Sequence, residues 1–270
     1  MEKKWIIVRG GGDIATGTIH RLWAAGLPVL VLETRYPSAI RRQVAVSEAV
    51  YDGEAVVEGM KSIRIENCEA AEAVIEAGNV PVLVDPKGEA IGKLYPVAVV
   101  DAILAKKNLG TCRSMAPLTV ALGPGFEAGK DVDVVIETMR GHNLGRIIRE
   151  GRALPNTGIP GNIGGYAAER VIHANEAGIF HNVRRVGDIV SAGEEIAGIE
   201  RSDGCVCSVT ATISGIIRGL LREGYPIPKG FKIADIDPRK EELVNCFTIS
   251  DKARCIAGSV LEAVIPYYYG

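Results

Sequence analysis

The sequence predicts an α/β fold with a mostly parallel sheet, followed by a small all-β domain. Three observations carry this. Short β-branched runs alternate with segments of helical spacing through the first two-thirds of the chain. From Arg184 the pattern changes to short strands punctuated by glycine. Apolar residues make up 47% and charged residues 24% of 270 residues, enough hydrophobic mass for one large domain with a smaller partner.

Lys4–Val8 reads as a short buried strand. Asp13–Ala25 follows helical spacing, with Ile14, Ile19, Leu22 and Trp23 on one face and Gly26 at its end. Pro28–Leu32 is a second apolar strand, closed by Glu33. Between the first strand and the helix, Gly10, Gly12 and Ala15 fit the G-x-G-x-x-G/A spacing of a Rossmann-like domain, here drawn over residues 1–180. Two readings of Gly10, Gly11 and Gly12 stay open. Glycines let the backbone approach a pyrophosphate at a helix N-terminus, and Glu33 stands where an acid bonds a ribose hydroxyl. The same glycines also serve a tight turn and close helix–strand packing. Asp13 suits a helix start but opposes a phosphate there.

Arg41 and Arg42 follow the second strand, and paired arginines clamp phosphates or carboxylates; a solvated turn is the alternative. Further along, Cys68–Ala77 reads as a helix, Val80–Val84 as a strand and Pro96–Lys107 as a helix with Val97, Val100, Ile103 and Leu104 on one face. Leu118–Leu122 and Val132–Ile136 read as two more strands. Three loops carry chemistry: Gly123–Phe126, Glu137–Arg146 and Asn156–Gly165, the last preceding an expected helix over Tyr166–His173. His142 lies between Arg140 and Arg146 and is the candidate proton-transfer group, with a surface histidine as the alternative. His173 and His181 read as structural, and no spacing matches a strong metal motif. Cys205 and Cys207 form a C-x-C pair that would share one face of a strand, either as ordinary strand cysteines or as a metal, selenium or redox site.

The stretches VGDIVSAGEEIAGIE, VTATISGIIRGLL and GYPIPKGFKIADIDP resemble the biotinyl/lipoyl-like half barrels. That resemblance implies a barrel-sandwich hybrid over residues 181–238, clearest from Arg184 to Pro238. A carrier of that kind needs a lysine at the hairpin tip, and no lysine occurs between Lys130 and Lys229. Covalent biotin or lipoate is therefore not expected. Residues 239–270 form a C-terminal segment in which Asp251–Val264 reads as a helix packing back on the first domain.

Net charge is -2 with a pI near 6.1, which argues against a nucleic-acid partner. No apolar run reaches the roughly 18 residues that span a bilayer. The start, MEKKWIIVRGGGD, does not read as a signal peptide. Six irregularly spaced cysteines suit reduced thiols and a cytoplasmic location. A homo-oligomer is compatible with all of this.

Several long motifs occur together: RGGGDIATG, AIRR followed by SEAVYDG, LGPGF, ETMRGHNLGR and NTGIPGNIGGY. Together they resemble the YqeB family, accessory proteins of selenium-dependent molybdenum hydroxylases. The resemblance implies a cytoplasmic protein that matures such an enzyme or supplies its cofactor or selenium, with that hydroxylase as partner. It transfers no catalytic residues. From the residues themselves, a small anionic, nucleotide-like ligand is expected on Gly10, Gly11, Gly12 and Asp13. Glu33 would hold a ribose, and Arg41, Arg42, Arg140, Arg146 and Asn156 would lie around it. A dinucleotide, either molybdopterin dinucleotide or NAD(P), is the cofactor class considered. A non-catalytic chaperone and an NAD(P)-linked oxidoreductase are the competing functions.

Overall fold

The computed structural model describes residues 4–158 and 161–270. The chain divides into two compact units: Met1–Pro37, Ala45–Thr157 and Ile249–Gly270 make up the first, and Ser38–Val44 with Gly158–Thr248 the second.

In chain order unit 1 contains β1 (Ile6–Arg9), α1 (Asp13–Ala24), β2 (Val29–Glu33), α2 (Ala49–Asp52), β3 (Glu54–Val57), β4 (Met60–Ile65), α3 (Ala71–Glu76) and β5 (Val80–Val84). It continues with α4 (Glu89–Leu94), β6 (Ala98–Asp101), β7 (Leu118–Leu122), β8 (Glu127–Ala128), β9 (Val134–Ile136), β10 (Ile147–Ile148) and β11 (Gly151–Arg152). Nine strands form one sheet in the order β10-β9-β7-β6-β1-β2-β5-β4-β3. Its seven inner strands run parallel, while β3 pairs antiparallel with β4 at one edge and β10 with β9 at the other. Strands covered on both faces read as continuous apolar runs, and Ile6, Ile7 and Val8 are all fully buried. On one face Trp5, Ile7, Leu30, Leu32 and Val99 pack with Ala71 of α3 and Ala90 and Ile91 of α4. α1 packs against the last helix of the chain, α5 (Asp251–Tyr269), which also touches β6, β7 and β9. The two helices meet closely at Gly17, where a Cβ would stand 2.7 Å from the Cβ of Ala253.

Unit 2 is built from β12 (Val171–His173), β13 (Gly178–Asn182), β14 (Ile189–Val190), β15 (Glu195–Glu200), β16 (Val206–Thr210), β17 (Gly215–Leu220), β18 (Tyr225–Ile227) and β19 (Lys232–Asp237). They form two four-stranded sheets, β12-β19-β17-β14 and β16-β15-β13-β18, antiparallel throughout. Phe180, Ile196, Ile199, Leu220 and Ile236 are among the residues of its core. Gly178 and Gly215 stand where a Cβ would collide with the carbonyl oxygens of Glu200 and Asp237.

The architecture expected from sequence is corrected on both halves. The first unit is not a uniformly helix-covered Rossmann-like domain. Its sheet is mixed, with antiparallel edges. No α-helix intervenes between β6 and β7 or between β7 and β9, and α5 from the far end of the chain packs there instead. The second unit is not a biotinyl/lipoyl-like barrel over residues 181–238. Its two antiparallel sheets recruit β12, which precedes that range, and β13, which straddles its start, and Ile40 of the 38–44 segment accepts a backbone hydrogen bond from Leu220. Glycine-punctuated strands forecast antiparallel pairing but not which strands share a sheet.

Two expected helices are strands. Within Pro96–Lys107, Ala98–Asp101 is β6, buried between β1 and β7. Positive φ at Tyr95, Leu104 and Lys106 stops a helix on either side. Within Tyr166–His173 only a three-residue 3-10 turn forms, and Val171–His173 joins β19. Of the NTGIPGNIGG loop, Ile159 and Pro160 lie outside the described residues, as do Met1–Lys3 of the N-terminal reading.

Candidate functional site

The parallel strands of unit 1 grow outward from β1 in one direction through β2, β5 and β4, then return to place β6 on the other side of β1. In open α/β sheets the crevice outside the carboxyl ends of strands at such a reversal is where ligands bind. β1 ends there in Arg9, Gly10, Gly11 and Gly12.

This glycine loop is tied down by its neighbours. Gly10 has φ +96°, and a Cβ on it would stand 3.0 Å from the carbonyl oxygen of Ala102. Its N–H donates to Leu32 O at 2.8 Å. The N–H of Gly11 donates to Glu33 Oε2 at 2.7 Å, and its carbonyl accepts from Ser47 N at 2.9 Å. Thr16 Oγ1 donates to Gly12 O and accepts from Val46 N. The amides of Gly10 and Gly11 are therefore spent inside the protein. Glu33 holds Gly11 and Thr34 instead of standing open to a ribose, and burial raises its pKa against those two backbone bonds. Gly12 is the N-cap of α1, and no side chain caps that helix end.

An acidic side chain near the carboxyl end of four strands holds the loop that leaves it. Glu33 has just been described. Asp85, after β5, accepts from the N–H groups of Gly88, Glu89 and Ala90 and so caps α4. Asp101, at the end of β6, accepts from Ile103 N and from Thr111 Oγ1 at 2.5 Å. Glu137, after β9, accepts from Met139 N and Leu154 N at 2.7 and 2.8 Å. Arg9 is buried among them: Nη1 donates to Thr111 Oγ1 at 2.6 Å, Nη2 to Pro86 O, and Asp101 lies 3.9 Å away. Burial raises the Asp101 pKa more than Thr111, Ile103 and Arg9 lower it. The carboxyl edge of the sheet is thus a hydrogen-bonded platform.

On that platform α5 begins. Ser250 caps it by accepting from Ala253 N, and Asp251 takes a bidentate bond from Arg140 at 2.7 and 2.8 Å. Lys252 follows. It is half-buried, and among the described residues it makes no hydrogen bond and no ion pair within 4.0 Å. Its pKa is lowered, first by burial and then by Arg140, against Asp13, Glu137 and Asp251. Lys252 therefore stands close to the first residue of α1, to the loop after β9 and to Arg140. A cation in the first turn of a helix opposes the helix dipole. Here it is also partly removed from water, with Asp13, Glu137 and Asp251 attracting it but none in an ion pair with it among the described residues, so it gains from an anion that reaches it.

Of the residues singled out from sequence, Gly10, Gly11, Gly12, Asp13, Glu33, Arg140, His142, Arg146 and Asn156 belong to unit 1. His142, Arg146 and Asn156 are exposed. Arg41 and Arg42 belong to unit 2 and are spent on backbone carbonyls: Arg41 Nη2 on Asn245 O and Thr248 O, and Arg42 Nε on Leu220 O. Lys252 was not singled out; its only mark in the sequence is a lysine just after the Ser–Asp start of a helix. Among the described residues no group of three or more His, Cys, Asp or Glu is placed to hold a metal ion. No helix among them is long and apolar enough to cross a membrane.

No family model matches the chain. Solved structures similar to it include the ectoine utilization protein EutE (DoeB) of Ruegeria pomeroyi, at 10% identity and TM-score 0.29 over 86% of this chain and 85% of that one. They also include an aspartoacylase family protein of Mesorhizobium loti, at 11% identity and TM-score 0.30 over 88% and 86%. At such scores the likeness carries no argument about fold or function. Among curated proteins, the uncharacterized protein YqeB of Escherichia coli strain K12 is 48% identical over 260 residues, 96% of this chain and 47% of that protein. The chain spans about half the length of the curated relative it matches.

Proposed function

We propose that unit 1 binds a small anionic ligand at the carboxyl edge of its sheet, and that the protein serves the maturation or cofactor supply of a selenium-dependent molybdenum hydroxylase. The second part rests on the motifs that resemble the YqeB family. The first rests on one observation: the half-buried ammonium of Lys252, in no ion pair among the described residues, near the first residue of α1, whose N-terminus has no side-chain cap. Anions favour a helix N-terminus, and a cation already partly desolvated loses less hydration on pairing. An NAD(P) pyrophosphate cradle is disfavoured, since Gly10 and Gly11 have spent their N–H groups on Leu32 and Glu33.

Complementation tests both parts. Cells lacking this chain should lose molybdenum hydroxylase activity, regain it with the wild-type chain and fail to regain it with Lys252→Met. Undiminished hydroxylase activity in the deleted cells removes the maturation role. Full rescue by Lys252→Met removes the site.

A further inference from the structure

All six cysteines are unbridged. Cys68 and Cys246 are buried, and Cys112 and Cys255 are exposed but solitary, against Ser114 Oγ and Leu144 O. Cys205 and Cys207 are different. They sit at the tip of the β15–β16 hairpin in unit 2, with Cys205 exposed and Cys207 half-buried. Arg201 N donates to Cys205 O at 2.9 Å and closes the hairpin, and Cys207 faces Ile199 one rung further in. Cys205 is the residue just before β16, and Cys207 is the second residue of that strand.

A third group joins them. The Arg201 guanidinium is bound to the Asp203 carboxylate, with Nη2–Oδ2 at 2.5 Å. Arg201 stands opposite Cys205 across the hairpin, where the two residues share the closing backbone hydrogen bond. Asp203 in turn accepts from Cys205 N at 3.0 Å, which fixes the turn that carries the first thiol. Arg201 and Gly204 also line one end of a groove of about 750 Å³ whose wall includes Ile179, Pro226 and Ile227. Two thiols at one hairpin tip, an arginine opposite the first of them and a groove that this arginine also lines are the parts of a thiol-exchange centre.

We propose that Cys205 and Cys207 are a dithiol site that reduces small-molecule disulfides by thiol–disulfide exchange. Cys205, the exposed sulfur, attacks one sulfur of the disulfide RSSR. The S–S bond breaks, one RS⁻ leaves and takes up the proton given up by Cys205. Cys207 then attacks Cys205 Sγ, the mixed disulfide breaks and the second RS⁻ leaves with the Cys207 proton. The protein gains one intramolecular disulfide and the substrate becomes two RSH. Residues two apart in a strand have Cα atoms about 6.5 Å apart, near the roughly 6.8 Å limit that a disulfide spans. The bond so formed is strained and easily reduced again, as an exchange centre requires.

Oxidised glutathione is the probe. The full chain is equilibrated with glutathione at graded ratios of oxidised to reduced form, acid-quenched, alkylated and mapped by peptide mass. The expected result is a Cys205–Cys207 disulfide in the wild type, while Cys112 and Cys255 remain alkylated. Cys207→Ser should trap glutathione on Cys205. Arg201→Gln should slow the exchange roughly threefold to tenfold. Wild-type Cys205 and Cys207 that stay alkylated at every ratio overturn the proposal, and so does glutathione that persists on wild-type Cys205. So does oxidation of Cys112 and Cys255 at the same rate as the pair. The wild-type measurement needs no variant to fold.

Discussion

Arg9 reaches Thr111 at 2.6 Å and Thr111 reaches Asp101 at 2.5 Å, so a hydroxyl links a buried cation to a buried anion. Removing one member of such a pair strands the other in a low-dielectric site. Asp101→Ala should therefore cost about 3–5 kcal/mol in urea unfolding, whereas Thr111→Val should cost about 1–3 kcal/mol. An Asp101→Ala loss below about 1 kcal/mol would show that Arg9 finds water instead. Lys252 has the opposite sign. Its pKa is lowered in the fold, so below that value its charge is a full penalty on the native state. As pH rises through the folded pKa the native chain sheds the proton before the unfolded chain does, and stability rises until the ordinary lysine value is reached. Thermal unfolding across the alkaline range should show this rise in the wild type and its loss in Lys252→Met. A wild-type curve that falls throughout that range contradicts the assignment.

Among the elements, α1 and α5 show where local preference and packing part. Replacing a helical glycine with alanine ordinarily gains about 1 kcal/mol. At Gly17 a Cβ would lie 2.7 Å from Ala253 Cβ and 3.0 Å from its carbonyl oxygen, so crowding reverses the sign. Gly17→Ala should lower the melting temperature by several degrees, corresponding to about 1–3 kcal/mol. An unchanged or higher melting temperature would mean that α5 slides freely. Several elements were legible because their signals are local. Gly12–Asp13 opens α1, the VLVLE and VPVLV runs are β2 and β5, and Ser250 opens α5. β6 was not legible. Its residues Ala98–Asp101 are buried on both faces, so they lack period-two alternation, and Val97, Val100 and Leu104 fall at helical spacing by coincidence. The hairpin β3–β4 was missed for the opposite reason: its exposed Glu54 and Val56 blur the apolar pattern.

For the whole molecule the decisive information is which chain segments meet, and spacing along the chain does not carry it. Arg41 and Arg42 were expected beside the glycine loop because they follow β2. The 38–44 segment instead belongs to unit 2, where both guanidiniums bind backbone carbonyls. Lys252, at the other end of the chain, lies near Asp13 because α5 packs on α1. The glycine loop itself was legible as a turn at a strand end, but its bonds to Leu32, Glu33 and Ser47 depend on tertiary packing. The central claim is an anion site dependent on Lys252, and a paired thermal titration tests it most directly. Wild type and Lys252→Met are melted with increasing ATP, CTP, NAD(P), FAD and inorganic phosphate. Saturation at a hundredfold over Kd should raise the wild-type melting temperature by roughly 5–10 °C for at least one of these anions, with no rise in the variant. No rise in the wild type with any of them at millimolar concentration, or an equal rise in both proteins, would contradict it.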